Sequence, residues 1–183
     1  MNKIIAVVGM SGTGKSVVTD CLENKGWKKL YFGGITYKLM EKEGIKRTED
    51  GSSEKEFREK LRKEHGPECY AKFIEPEIKD NIEKHNIVLD GLYSWYEYKY
   101  LINKYPNLQV ICVVTDKKIR YDRVSKRTER AFNKEAIISR DISEIENLYK
   151  GGPIAYADYY ILNNGKKEDL IDRLNIIMKE IGE

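Results

Sequence analysis

From Gly9 to Ser16 the chain reads Gly-Met-Ser-Gly-Thr-Gly-Lys-Ser, with two glycines five apart followed at once by a lysine and a hydroxyl residue. This is the Walker A spacing, and its chemistry is phosphate binding. Gly9, Gly12 and Gly14 let the main chain turn tightly and bring its amides against phosphate oxygens, with Ser11, Thr13 and Val17 completing the cradle. Lys15 is placed to contact the β- and γ-phosphates of ATP, and the Ser16 hydroxyl to ligate magnesium. The flanks fit. A β-branched run over Ile4–Val8 predicts a strand before the loop, and residues 16–23 predict a helix whose positive end faces the same anion.

Two further elements could complete such a site. The apolar run at residues 87–89 ends in Asp90-Gly91, and ligands of open α/β sheets bind at the carboxyl ends of strands. Asp90 could there hold magnesium, with Ser16, or orient an acceptor; a plain Asp-Gly turn is the bland alternative. Residues 117–134 carry eight basic side chains against Asp122 and Glu129, a local excess of +6 in a chain whose net charge is only +3. Arg120, Arg123, Arg127 and Arg130 fall at helical spacings in it. Guanidinium groups on a movable segment can neutralise a phosphoryl group in transfer. Arg123 and Arg127 share one helical face, so Arg127 ranks first, then Arg123 and Arg130, with Arg140 a later member. A solvated helix face is the competing reading.

These residues need a frame. Apolar runs at Ile4–Val8, 28–32, 87–89, Leu108–Val114 and Tyr159–Leu162 alternate with helical patterns, which predicts a doubly wound α/β sheet. Residues 35–84 hold no strand pattern and predict a helical insertion. In it Ser53-Glu54-Lys55-Glu56 reads as a capping box and Pro76 as a kink or break. At 183 residues, 40% hydrophobic and 34% charged, the chain suits one globular domain without repeats or linkers. No apolar run approaches the roughly 20 residues of a membrane span. Cys21, Cys69 and Cys112 suit free thiols and a cytoplasmic location. His65 and His85 lack partners at metal-ligand spacing, and no nucleophile–base motif suggests covalent catalysis.

With these residues in hand, the chain resembles the nucleoside-monophosphate kinase superfamily, in particular dephospho-CoA-kinase-like and adenylate-kinase-related proteins. The resemblance is carried by the loop, by Leu61–Gly66, Val88–Gly91 and Arg140-Asp141, and by residues 157–165. It implies a three-layer P-loop fold with a five-stranded parallel sheet in the order 2-3-1-4-5. A helical acceptor-binding region at about 35–85 and a basic lid at about 120–140 would complete the single domain of residues 1–183. By the same resemblance Arg62 would meet the acceptor's phosphate, with Gly33, Gly34, Thr36, Asp90, Gly91 and Tyr93 around the acceptor, and Asn164 and Gly165 would lie near adenine. A surface ion pair for Arg62 and a simple turn at Asn164-Gly165 are the alternatives.

Two departures bear on the acceptor. Relatives often carry an aspartate after the second strand, where this chain has Gly33-Gly34, and a hydroxyl acceptor benefits from such a base while a phosphate acceptor does not. Tyr93 stands where the archaeal relatives tend to have arginine. The expected activity is therefore phosphoryl transfer from ATP to a small phosphorylated acceptor such as a nucleoside monophosphate. Hydroxyl phosphorylation of the dephospho-CoA kinase type, a regulatory nucleotide-binding module and a nucleic-acid end-binding role for residues 117–134 remain as alternatives. The aromatic group Tyr93, Trp95, Tyr96, Tyr98 and Tyr100 could stack on a base or serve as core.

Overall fold

The computed structural model describes residues 2–48, 51–127 and 133–183. The first β-branched run forms β1 (Ile4–Val8), and the loop after it leads into α1 (Lys15–Asn24). Then follow β2 (Lys28–Tyr31), α2 (Phe32–Lys42), α3 (Ser52–His65), α4 (Cys69–Ile82) and β3 (Ile87–Asp90). The chain continues through α5 (Trp95–Lys104), β4 (Leu108–Val114), α6 (Lys117–Ser125), α7 (Lys134–Glu146), α8 (Gly151–Ala155), β5 (Tyr159–Leu162) and α9 (Lys167–Glu180).

Among the described residues the five strands form one parallel sheet in the order β2-β3-β1-β4-β5, as the resemblance implied. The two-residue period of a strand sorts its side chains onto two cores. Ile4, Ala6, Val8, Leu89 and Val110 face Phe32, Leu61, Ile74 and Leu101 from α2 to α5. Ile5, Val7, Val88, Ile111 and Ile161 face Val18 and Leu22 of α1 and Leu170, Leu174 and Met178 of α9. β1 is flanked by β3 and β4, so the loop after it opens at the point where the strand order reverses, a ligand crevice in such sheets.

Three local expectations change. The second strand stops at Tyr31, and Phe32 opens α2 instead of closing the strand. Pro76 neither splits nor ends α4, which runs unbroken from Cys69 to Ile82. Pro76 and the residue four before it, Lys72, are both exposed, so the carbonyl that loses its amide partner faces water. The capping box read at Ser53 does not form: α3 starts at Ser52 after Gly51, with no side-chain cap. Glu54 is drawn to the preceding segment, accepting from Arg47 Nε at 3.2 Å and the Thr48 amide at 3.4 Å. A full capping box forms at Ser94 and Glu97 instead, at the start of α5.

Candidate functional site

The loop 9–16 is built on positive-φ glycines. Gly9 at φ 140° and Gly14 at φ 95° leave no room for a side chain, which would strike the Val113 carbonyl at Gly9 and the Asn163 amide at Gly14. The Met10 carbonyl gathers the turn, accepting from Thr13 Oγ1 at 3.0 Å and from Lys15 Nζ at 2.9 Å. Asn163 Nδ2 donates to the Thr13 carbonyl at 2.7 Å, and Thr115 Oγ1 bridges Thr13 and Asn163 carbonyls. Arg120 holds the loop from the other side, donating to the Ser11 carbonyl at 2.8 Å while its Nη2 pairs with Asp141 at 2.5 Å. Ser16 is exposed at the mouth, and Val17 packs half-buried against the α1 core.

Asp90 ends β3 in register with Val7, so it stands beside the loop as expected. Its Oδ2 lies 3.4 Å from Thr19 Oγ1, one turn along α1 from Ser16, and 3.9 Å from Lys29 Nζ. Burial pushes its carboxyl above the usual range, against the pull of Lys29 and Lys15. One hydroxyl and one carboxylate are the hard oxygen donors magnesium takes when substrate phosphates supply the rest of its shell. That donor set fits the ion; no cluster of three or more His, Cys, Asp or Glu forms a closed cage among the described residues.

A group of cations surrounds Lys15. Arg140 Nε pairs with Glu144 Oε1 at 3.0 Å and Lys150 Nζ with Glu144 Oε2 at 2.6 Å. Burial, then the neighbouring Lys150 ammonium, pulls Lys15 down to about 7, with Arg140 adding to the repulsion and Glu144 and Asp90 opposing it. Arg127 feels Arg140 in the same way, and burial with that repulsion lowers its guanidinium below the usual value. Glu144 is held down at about 2 by Lys150 and Arg140, which outweigh its burial. Sequence reasoning reached Lys15, Arg127 and Arg140 but missed Lys150 and Glu144. The one signal was Glu144 at four residues after Arg140 on a helix.

The other lid residues divide. α6 ends at Ser125, so Arg127 lies beyond the helix and does not share a face with Arg123. Arg123 donates to the carbonyls of Asn163 at 2.9 Å and Gly165 at 3.3 Å, bracing that turn and not the phosphoryl position. Asn164 Oδ1 accepts from the Asp116 amide at 2.9 Å, so Asn164 and Gly165 form the rim of the loop on the β5 side. Arg130 lies outside the described residues.

On the acceptor side, Gly33 lies under the ring of Tyr31, which a side chain at 33 would strike, and Gly34 follows in the first turn of α2. Thr36 is fully buried, its hydroxyl 3.0 Å from Tyr70 Oη, and so serves the core and not the cleft. Tyr93 folds back over Gly91 and is half-buried, with Lys150 Nζ 5.1 Å from the centre of its ring. The remaining aromatics pack on one another: Trp95 stacks on Tyr98 at 5.1 Å and both meet Tyr156, while Tyr96 meets Tyr149. Tyr100 donates a hydrogen bond to Glu75.

Arg62 is not a surface residue. Its side chain is 16% exposed, lies over the Tyr70 ring, and stands 3.8 Å from Glu97 Oε1. Arg62 Nε and Glu97 Oε1 are buried without a hydrogen-bond partner among the described residues, while Glu97 Oε2 caps α5 through the Tyr93 and Ser94 amides. Burial pushes Glu97 up to about 7, against Arg62, the two amides and Lys150. The folded chain thus keeps a proton that the unfolded chain releases near 4.5, and this group's stabilisation falls as pH rises from 4.5 to 7. Glu97→Gln keeps the capping oxygen and removes the titration. Its stability relative to the native chain should rise by about 3 kcal/mol across that window. Urea midpoints of the two proteins from pH 4.5 to 7.5 measure this, and a constant difference would contradict it.

Comparison with known proteins agrees with this geometry. A family model described as "AAA domain" matches residues 5–148. A UPF0200 protein of Sulfurisphaera tokodaii is 31% identical over 182 residues, covering 98% of this chain and 97% of its own. One from Pyrococcus abyssi is also 31% identical, with 97% and 96% covered. Among solved structures, shikimate kinase from Bacteroides thetaiotaomicron is similar at TM-score 0.62 and 11% identity, with 99% of each chain covered. Dephospho-CoA kinase from Campylobacter jejuni is similar at TM-score 0.59 and 19% identity, covering 98% of this chain and 97% of that one. The chain, with its 2-3-1-4-5 sheet and Gly9–Ser16 loop, therefore belongs to the UPF0200 family and to the AAA domain family matched over residues 5–148, on a P-loop kinase fold.

Proposed function

We propose that this protein transfers a phosphoryl group from ATP, with magnesium, to a small phosphorylated acceptor of the nucleoside-monophosphate kind. The observation that carries the reading is the charge around Lys15. Lys15, Arg127, Arg140 and Lys150 gather there, with Asp90 and Glu144 among them. Cations gathered beside a Walker A loop suit polyanionic ligands, and phosphoryl transfer depends on positioning and charge neutralisation. Bound magnesium would supply Lewis-acid neutralisation of the phosphate oxygens near Ser16 and Asp90. The loop amides orient the donor, Lys15 meets its terminal phosphates, and Arg127 and Arg140 meet the group in transfer.

The acceptor class follows from the missing base. Tyr31 covers the position after β2, and Glu144, held at about 2, is too weak a base to take a hydroxyl proton. A phosphate acceptor is already a nucleophile, and the half-buried Arg62 guanidinium beside Glu97 is available to orient it. The dephospho-CoA kinase reading rests on Asp90 as base, which its raised carboxyl favours. ADP formation with nucleoside monophosphates and with dephospho-CoA separates the two. Acceptor-independent hydrolysis of ATP would sink both.

Arg127→Ala gives a finer check. It should lower kcat by about 100-fold while leaving ATP affinity within about twofold, because its contact strengthens only as charge develops on the transferred group. An equal fall in both would mean ground-state binding only.

A further inference from the structure

Lys29 stands behind the carboxylate of Asp90. β2 pairs with β3 so that Lys29 lies beside Val88, and Val88 and Asp90 point to the face of the sheet covered by α1. On that face α1 presents Ser16, Thr19, Asp20 and Glu23, at the helical spacings that bring side chains together. Lys29 Nζ lies 2.5 Å from Asp20, 3.8 Å from Glu23 and 3.9 Å from Asp90 Oδ2. An ammonium has three protons to donate, and here three carboxylates surround it. Lys29 and Asp90 are the sheltered members, with side chains 20% and 16% exposed, while Asp20 and Glu23 are both more than half exposed.

Two groups restrain the Asp90 carboxylate, and both act on the same oxygen. Thr19 Oγ1 lies 3.4 Å from Oδ2, but its single proton is shared with the Ser16 carbonyl at 3.2 Å. Thr19 thus ties Asp90 to the end of the phosphate loop without being able to hold it alone. Lys29 adds the second restraint, and with it a charge. A carboxylate drawn out of water is costly unless an opposite charge meets it. With Oδ2 turned to Thr19 and Lys29, Oδ1 is the oxygen offered to a metal or to a water in its shell. The Lys29 charge repels such a metal little, because Asp20 and Glu23 offset it.

We propose that Lys29 is a positioning residue for magnesium, holding the Asp90 carboxylate in the orientation in which, with Ser16, it binds the ion. This rests on the reading of Asp90 and Ser16 as the magnesium donors. Groups that orient a metal's ligands from behind are worth about 10- to 100-fold in metal affinity. The bland alternative is a surface ion pair between β2 and α1, worth little and without effect on the metal.

The test compares the native chain with Lys29→Met, Lys29→Arg, Asp20→Asn and Asp90→Asn, each first shown to melt cooperatively, with Lys29→Gln in reserve if the methionine variant does not fold. Manganese takes the same oxygen donors as magnesium, and the paramagnetic resonance of its free ion measures its affinity for each protein loaded with ADP. Lys29→Met should bind manganese about 10-fold or more weakly than the native chain, and metal-free ADP within about twofold of it. Lys29→Arg should recover most of the loss. Asp20→Asn breaks the closest surface pair but leaves Lys29 beside Asp90, so its manganese affinity should stay within about twofold. Unchanged or tighter manganese binding in Lys29→Met, or an equal loss in Asp20→Asn, would overturn the proposal. If Asp90→Asn weakens manganese and Lys29→Met does not, only the role of Lys29 fails. If Asp90→Asn binds manganese as the native chain does, the metal does not belong to Asp90, and both readings fail.

Discussion

Replacing Lys15 with alanine is expected to lower ATP turnover by at least about 1,000-fold while the protein stays folded, since the lysine supplies charge to the terminal phosphates. Among the described residues its ammonium donates one hydrogen bond, to the Met10 carbonyl. It is crowded by Lys150 and Arg140 and pulled down to about 7, so the side chain adds repulsion to the fold. The melting temperature of Lys15→Ala should therefore be unchanged or slightly raised. Calorimetry and an ADP-release assay on the same preparation check both halves. Turnover retained within about tenfold would mean that the loop binds something other than a triphosphate.

The second large effect belongs to Arg120. The basic run suggested a lid cation, but its guanidinium is buried, bonded to the Ser11 carbonyl and paired with Asp141 of α7. Removing it strands the Asp141 carboxylate in the interior and frees the loop from α7. Arg120→Ala should cost about 3–5 kcal/mol, the range for breaking a buried pair. For a chain of this size that is a fall of roughly 10 °C in melting temperature. Asp141→Asn added to Arg120→Met should recover more than half of the loss, because no charge is then left unpaired. A drop of less than about 2 °C for Arg120→Ala would show that the pair is dispensable.

Arg120 illustrates what a linear reading reaches. Gly9–Ser16 was legible because the whole motif is contiguous, and a phosphate loop between a strand and a helix has few other meanings. Asp90 was legible because an apolar run ended in it. The sheet order came from resemblance and the strand positions from β-branched runs. Helix spacing could not tell Arg120, Arg123 and Arg127 apart. Their partners, Ser11 and Asp141 for one and Asn163 and Gly165 for another, come from distant parts of the chain. Lys150 gave no local signal at all, lying in a Tyr-Lys-Gly-Gly turn that reads as surface. Its burial is decided by Glu144 and Tyr93, and only the packed structure brings those together. Pro76 was misread because a proline rule does not know which side of the helix faces water.

The acceptor cleft has the same logic. Gly33-Gly34 read as a missing carboxylate, and the structure adds that the Tyr31 ring fills the space above Gly33. Arg62 and Glu97, 3.8 Å apart on α3 and α5, leave two buried polar atoms without hydrogen bonds among the described residues. Such atoms cost free energy until something satisfies them. Under the proposed function, an acceptor phosphate would take the hydrogen bond that Arg62 Nε offers.

The most direct measurement follows the terminal phosphoryl group itself. ATP labelled at the γ-phosphate is incubated with magnesium, the native protein and a panel of nucleoside monophosphates, with Lys15→Ala as the control. The account predicts label in a nucleoside diphosphate, formed by the native protein and absent with Lys15→Ala. Label appearing only as inorganic phosphate, at the same rate with and without acceptors, would contradict it.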